Sequence, residues 1–556
     1  MQSLDEIKKE IEIFCESYLF SESDKEITRK SGKIIHDTIW KTNFFEPYEV
    51  AIINTPLFQR LRNIKQMGFV DYVYPSARHS RFEHSLGVTI LAGKMIDSIL
   101  RNPNSKKFIT DKDKASIRLS ALLHDVGHCL FSHTSELVYG SLLAECKAEE
   151  LKDKNVDPAP HEFLSYLIVR SDCFGKFFKK LQKTYEELHG LDIQEIANRI
   201  IGYVEKESDR YKTRFIYGPI DADKLDYFHR DSQFSGIPIQ LDIERLFYEI
   251  DISNISDMDK NVEENVYDLT IGISGIGCIE QIIFNKMLLY STIYHHHKVQ
   301  AMDCMFKGVF EYIMENKIEI NIQGTKKEIN SPVDFLYLVD HDLFTLAKDV
   351  DNDILKRLIK NIQKRNLLKR ALVINQGSIK KKTEELSISQ NDIGKLESTL
   401  KNKTEENFNE NLEGVIHELA EKFLHPSKGG MKGLMKILPS SKYKYQRTLA
   451  KKILEDANVN CLLSEVWIDI PKTPSFTETS TLNIRTDKDK NNTEYKPIDN
   501  FYPYNQYKDL YITNKMSCHI FAPEYCLKEI ANSAKKIFKE ELDIEFNNRA
   551  DICVHR

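Results

Sequence analysis

The stretch that decides the reading is ALLHDVGHCLFSHTSE at 121–136. Placed on a helix, His124 and His128 lie one turn apart on a shared face, with Asp125 about 100° round. Leu122, Leu123 and Val126 would anchor the opposite side. Setting imidazoles and a carboxylate beside such an apolar run is costly unless something satisfies them. A bound cation does so well, because both groups are good ligands for Fe, Mn or Zn. For one histidine alone, a hydrogen-bonded core position would be the preferred reading.

Two further clusters reverse that preference. SARHSRFEHSLGVTILAGKM at 76–95 puts His84 at the head of an apolar helix, behind Arg78, His79 and Arg81. PIDADKLDYFHRD at 219–231 offers Asp221, Asp223, Asp226 and Asp231, with Lys224 and Arg230 between them. One histidine, an adjacent His–Asp pair and a distant aspartate make a four-ligand set. Such a set leaves coordination positions open for water and substrate, as a catalytic metal requires.

Composition limits what surrounds this set. The chain has 556 residues, 41% apolar and 29% charged, with a net charge of −6. That is ordinary for a globular protein and excludes a collagen, a fibre or a mostly disordered chain. At about 150 residues per domain it allows three to four units. No apolar run is long enough to span a bilayer, and MQSLDEIKKEIEIF at the N-terminus lacks a signal-peptide block. A cytoplasmic, soluble protein is expected. The negative balance provides no overall field for nucleic acid or an anionic membrane. Ten scattered cysteines without a C-x-x-C pair predict free, mostly buried thiols.

Helical periodicity dominates 33–350. The fold class expected is mainly α: a helical catalytic core at 33–350, preceded by an N-terminal helical extension at 1–32. A charged helical insertion or linker follows at 351–426, then a smaller α+β region at 427–556. Within that region, 427–436 reads as a flexible connection, VWIDIP at 466–471 and KMSCHIFAP at 515–523 as strands, and TDKDKNNTEYK at 486–496 as a polar loop. EYCLKEIANSAKKIFKEEL at 524–542 reads as a closing amphipathic helix, and GISGIG at 272–277 as a helix start or close-packing site.

The order H…HD…D, with its flanks, resembles the HD superfamily of metal-dependent phosphohydrolases. It is most similar to the deoxynucleoside triphosphate (dNTP) triphosphohydrolases, both bacterial dGTPase-like enzymes and the animal enzyme with a sterile-alpha-motif domain. INTPLFQRLRNIKQMG at 53–68, HSRFEHSLGV, HDVGHCLFSH, DADKLDYFHRD and YHHHKV at 294–299 follow the family's order. The resemblance implies an HD-domain helical fold with His84, His124, Asp125 and Asp223 as metal ligands. The metal implied is one divalent Fe, Mn or Zn, with Mg accompanying the triphosphate.

By the same resemblance, His128 contacts the α-phosphate. His133 donates a proton beside the scissile bond, oriented by Glu136 where the family usually has aspartate, and His161 with Glu162 matches the family's His–Glu pair. Arg81, Lys224 and Tyr227 resemble phosphate contacts. Gln66 and Asp231 resemble binders of the sugar 3′-hydroxyl, Met67 lies against the base, and Tyr294 with His295 stands near the sugar. Asn54, Arg60 and Arg62 correspond to a regulatory nucleotide site, with asparagine in place of the animal enzyme's aspartate.

The activity implied is hydrolysis of a dNTP to a deoxynucleoside and inorganic tripolyphosphate, by a homo-oligomer (dimer to hexamer) with an activating nucleotide. It would serve nucleotide balance or phage defence. Two alternatives stay open. One is another HD phosphohydrolase acting on alarmones, cyclic dinucleotides or phosphodiesters, although no GYP segment is present. The other is a nucleic-acid-binding or sensor protein with a vestigial metal site. SKYKYQRTLAKK at 441–452, where lysines alternate with tyrosines, would be its single-strand contact.

Overall fold

The computed structural model describes residues 2–19, 31–103, 105–256, 265–380, 426–439, 442–474, 482–489 and 492–552. The charged stretch 381–425, with most of the expected insertion, lies outside them. The fold is mainly α. It divides into two compact units, one of Met1–Asn366 with Pro474–Asn505, the other of Leu367–Thr473 with Gln506–Arg556. Among the described residues no helix is long and apolar enough to cross a membrane, and the cysteines are free.

The first unit is built round one buried helix. We label α1 (Leu4–Leu19), α2 (Arg81–Ile99), α3 (Asp111–Leu123), α4 (His133–Glu150), α5 (Pro160–Arg170) and α6 (Ala222–Ser235). Ser80 and Glu83 close a capping box at the start of α2. The helix is apolar and buried on nearly every side, as befits an element at a core's centre. Gly87 lets α6 press against it: a Cβ there would stand 1.9 Å from Asp226 Oδ1 and 2.5 Å from Arg230 Nη2. Asp221 caps α6, accepting from Lys224 N at 2.8 Å, and Gly236 ends it in the left-handed conformation.

α1 is part of this core rather than an extension from it. Ile7, Ile11, Phe14 and Cys15 are buried at helical spacing, and Glu12 accepts from the backbone N–H groups of Asp172 and Cys173 at the head of the next long helix. The GISGIG segment behaves as a helix start. Gly272 leads into a short turn and then the helix Ile276–Leu289, with no room for a side chain against Glu249.

A four-stranded sheet completes the unit, in the order Asn492–Pro497, Asn483–Asp489, Tyr267–Gly272, Ile250–Asn254. The stretch expected as a polar loop is therefore an antiparallel hairpin. One strand of it adds in parallel register to Thr270–Gly272, so its backbone groups are paired despite its polar side chains. That pairing is why 474–505 belongs to the first unit.

The second unit carries a three-stranded antiparallel sheet with Cys518–Ala522 between Lys369–Ile374 and Trp467–Asp469. The central strand is buried throughout. The helices Tyr443–Ala457 and Leu527–Leu542 pack on each other, Ser533 donating to the Ile453 carbonyl at 2.8 Å. The segment expected as a flexible connection is a helix, Pro426–Ile437, kinked at Gly430 where φ is 56°.

Candidate active site

α2, α6 and the turn after α3 bring four side chains together. His84 Nε2 lies 2.9 Å from Asp223 Oδ1 and 3.6 Å from Asp125 Oδ2. His124 Nε2 lies 3.4 Å from Asp125 Oδ1 and 3.8 Å from Asp223 Oδ1. The opposite ring nitrogens are already used: His84 Nδ1 donates to Asp226 Oδ2 at 2.7 Å, and His124 Nδ1 to the Ala121 carbonyl at 2.7 Å. Those bonds hold a proton on each Nδ1 and turn each Nε2 toward the carboxylates, where it can bind an ion once it is deprotonated. Both Nε2 atoms are buried without a hydrogen-bond partner.

Imidazole nitrogens and carboxylate oxygens thus confront one another, with Asp223 one-third exposed. Burial opposes charge on His84, yet Asp223 and Asp226 outweigh it and lift its pKa to about 10. Asp125 and Asp223 sit below the usual carboxylate range; burial works the other way, but Arg81 and the histidines prevail at Asp125, and His84 and His124 at Asp223. The place calls for positive charge, and two imidazoles with two carboxylates suit a divalent transition metal.

The sequence-based expectation that His124 and His128 share a helix face is corrected here. α3 stops at Leu123, and 124–132 runs as turns. Arg60 explains why: its buried guanidinium takes the carbonyls of Val126 at 2.6 Å and His128 at 2.8 Å, groups a continuing helix would use itself. Gly127 packs flat on α5, where a Cβ would stand 2.4 Å from both His161 O and Ser165 N. Arg60 is therefore a support of the turn that carries His124 and Asp125. Arg62 lies over the Phe82 ring at 3.5 Å and donates to Gln59, and Asn54 ends the helix Pro47–Ile53.

Beside these four side chains stands a second group. His133 and Glu136 occupy the first turn of α4, His161 the first turn of α5. Glu136 Oε1 accepts from His133 Nδ1 at 3.0 Å and His161 Nδ1 at 2.5 Å, so the longer acid does reach. His128 stacks on His161 with centroids 3.8 Å apart. Burial and the nearby Arg81 hold the His128 pKa well below the ordinary value, so the ring is neutral. Glu162 caps α5 through Ala159 N at 2.5 Å, and burial pushes its pKa up to about 8.

Arg81 ties the groups together, donating to Asp125 Oδ2 at 2.8 Å and Ser132 Oγ at 2.9 Å, with Nη2 buried and unpartnered. Lys224 instead holds Asp221 at 2.6 Å and the Gly218 carbonyl at 2.9 Å. Asp231 joins His79 Nε2, at 2.8 Å, to the Tyr294 hydroxyl. Gln66 and Met67 are buried, with Gln66 Oε1 unpartnered. Tyr227 packs on Phe228 and His295 on Tyr290.

Three supporting residues were not legible as such in the sequence. Asp226 also accepts from Trp40 Nε1 at 2.5 Å and from Arg230 Nε and Nη2 at 2.8 and 2.9 Å, and Arg230 in turn holds Asp37 at 2.9 Å. The i, i+4 spacing of Asp226 and Arg230 was the available signal. Asp340 accepts from Phe131 N at 2.6 Å and Lys65 N at 3.0 Å. It pins a turn in which Phe131 and Ser132 both have positive φ, 52° and 53°, immediately before His133. Within the basic cluster of the second unit, Arg447 serves the fold: it lies over Trp467 at 3.9 Å and donates to the Val466 and Leu463 carbonyls.

Residues 81–231 match the HD domain family and residues 242–410 the HD associated region. The chain is 30% identical over 352 residues to a deoxynucleoside triphosphate triphosphohydrolase SAMHD1 homolog of Dictyostelium discoideum, covering 62% of this chain and 60% of that protein. To the Homo sapiens SAMHD1 triphosphohydrolase it is 29% identical over 360 residues, covering 61% and 54%. To an uncharacterized protein of Methanocaldococcus jannaschii it is 30% identical over 315 residues, 56% of each. The matches thus span a little over half the length of these relatives.

Proposed function

We propose, from the premise that this chain is an HD-domain hydrolase related to the SAMHD1 triphosphohydrolases, that it cleaves dNTPs to a deoxynucleoside and inorganic tripolyphosphate. The observation that carries the proposal is the pair of buried, unpartnered Nε2 atoms of His84 and His124 facing Asp125 and Asp223, beside a second group rich in proton-handling side chains.

His84, His124, Asp125 and Asp223 would hold the divalent metal, and a metal so held supplies Lewis-acid polarisation and neutralises phosphate charge. A triphosphate brings about four negative charges, which the acidic chain must meet locally. Arg81 does so with its unpartnered Nη2 while its other nitrogens stay fixed on Asp125 and Ser132. His128, neutral and buried, donates its one N–H to an α-phosphate oxygen. Water adds to the α-phosphorus and releases its proton to solvent, the bond to the 5′-oxygen breaks, and His133 protonates that departing oxygen. Glu136 on His133 Nδ1 orients the ring for this step. Asp231, held by His79 and Tyr294, is placed to accept from a sugar hydroxyl, with Gln66 and Met67 alongside. Lys224 reaches the phosphates only by leaving Asp221. The proposal includes a homo-oligomer, with Asn54 and Arg62 at a nucleotide-activated surface.

The test is incubation with each dNTP, alone and in dNTP mixtures that supply an activating nucleotide, with Mn²⁺ or Mg²⁺, followed by separation of products. Deoxynucleoside and tripolyphosphate are expected, and Asp125→Ala should abolish both. Monophosphate plus pyrophosphate, or no turnover of any dNTP, would refute the proposal.

A further inference from the structure

We infer that His128, His133, Glu136 and His161 form a second cation site, on the Nδ1 side of the imidazoles, that takes a borderline-soft divalent metal such as Zn²⁺. One ligand atom from each of the four lies within 4.8 Å of all the others. Around Glu136 Oε1 stand His161 Nδ1 at 2.5 Å, His133 Nδ1 at 3.0 Å and His128 Nδ1 at 4.0 Å. Ligands bound tetrahedrally at zinc distances are about 3.3–3.6 Å apart, so the observed spacings bracket those of an occupied site. Three nitrogens thus surround one carboxylate oxygen, and His128 Nδ1, at 4.0 Å, is too far to donate to it.

His128 provides an independent sign. It is fully buried, and neither ring nitrogen has a hydrogen-bond partner. Its stack on His161, with rings 13° from parallel, aims its nitrogens alongside those of its neighbour. The site differs from the first in its atoms. There the Nε2 atoms converge and the Nδ1 atoms are tied back. Here the Nδ1 atoms converge, while Nε2 of His128 and His161 face Asp125 Oδ1 at 3.3 and 3.8 Å. His133 is 63% exposed and gives the ion a way in.

The consequence for catalysis rests on the proposed function. An ion on His133 Nδ1 replaces the hydrogen bond to Glu136 that orients the ring and supports its protonated form, so filling this site stops turnover. Activity then rises with the first equivalent of Zn²⁺ and falls with the second.

The full chain, stripped with a chelator, is titrated with Co²⁺ and Zn²⁺, with metal content measured by mass spectrometry and the visible cobalt bands recorded. Two equivalents per chain are expected, one in His133→Ala and in Glu136→Asp, and one in Asp223→Ala, whose remaining cobalt spectrum should be that of the second site. Saturation of the unaltered chain at one equivalent overturns the inference. So does survival of the second equivalent in His133→Ala, which would place it on the Nε2 side with Asp125. If two equivalents bind but no dNTP is turned over at any loading, the site stands and the triphosphohydrolase proposal falls.

Discussion

Replacing Asp226 by asparagine tests whether the metal site is built from behind. Asp226 accepts from His84 Nδ1 at 2.7 Å, Trp40 Nε1 at 2.5 Å and Arg230 at 2.8 and 2.9 Å. Every one of these is a donor. An asparagine presents one oxygen and one NH₂, so at least one donor faces another. If that donor is His84, the ring loses the bond that keeps its proton on Nδ1 and its Nε2 free. Loss of such an outer partner weakens metal binding about 10–100-fold, or about 1.4–2.7 kcal/mol. Arg230, buried and left with Asp37 alone, adds a stability loss of about 3–5 kcal/mol. The two effects separate by assay. The first appears as a weaker Mn²⁺ Kd in calorimetry and a smaller metal-induced rise in Tm, the second as a lower Tm without metal. Asp37→Asn serves as the control, because it loosens Arg230 without touching His84. Should folded Asp226→Asn bind Mn²⁺ within about threefold of the unaltered chain, the reasoning that this carboxylate sets the His84 tautomer is wrong.

Two further outcomes are expected. Gly127→Ala places a methyl 2.4 Å from backbone atoms of α5 that cannot rotate away; overpacking of about 1–3 kcal/mol or more should lower Tm by several degrees, and a Tm within about a degree of the unaltered chain would contradict the packing described. Burial raises the Asp340 pKa from 3.8 to about 6, against the hydrogen bonds from Phe131 and Lys65. With the folded value raised, its contribution to stability is complete below about pH 4 and is lost as pH rises through 6, a change of about 3 kcal/mol. Asp340→Asn should flatten that part of the Tm–pH profile, and parallel profiles for the two proteins would rule the effect out.

How far the sequence could be read follows from the range of the forces involved. Ser80 with Glu83, the apolar run behind His84, and Asp221 ahead of α6 are local devices, so the helices that carry His84 and Asp223 could be seen in their own residues. The resemblance carried by the motif order pointed to four candidate ligands, and the fold brings those four side chains together. What sequence could not give were contacts closed over long separations. Arg60, 66 and 68 positions from the carbonyls it takes, turns the HDVGH segment out of its helix. Asp340, 209 positions on, holds Phe131 and Ser132 in conformations neither residue favours alone. The polar run at 486–496 became a hairpin because its neighbouring strand supplied the backbone pairing. Spacing along a chain reports which side chains share a helix face; only the folded backbone decides which buried donor meets which acceptor. At this site that second decision leaves two imidazole nitrogens bare and aimed at two carboxylates.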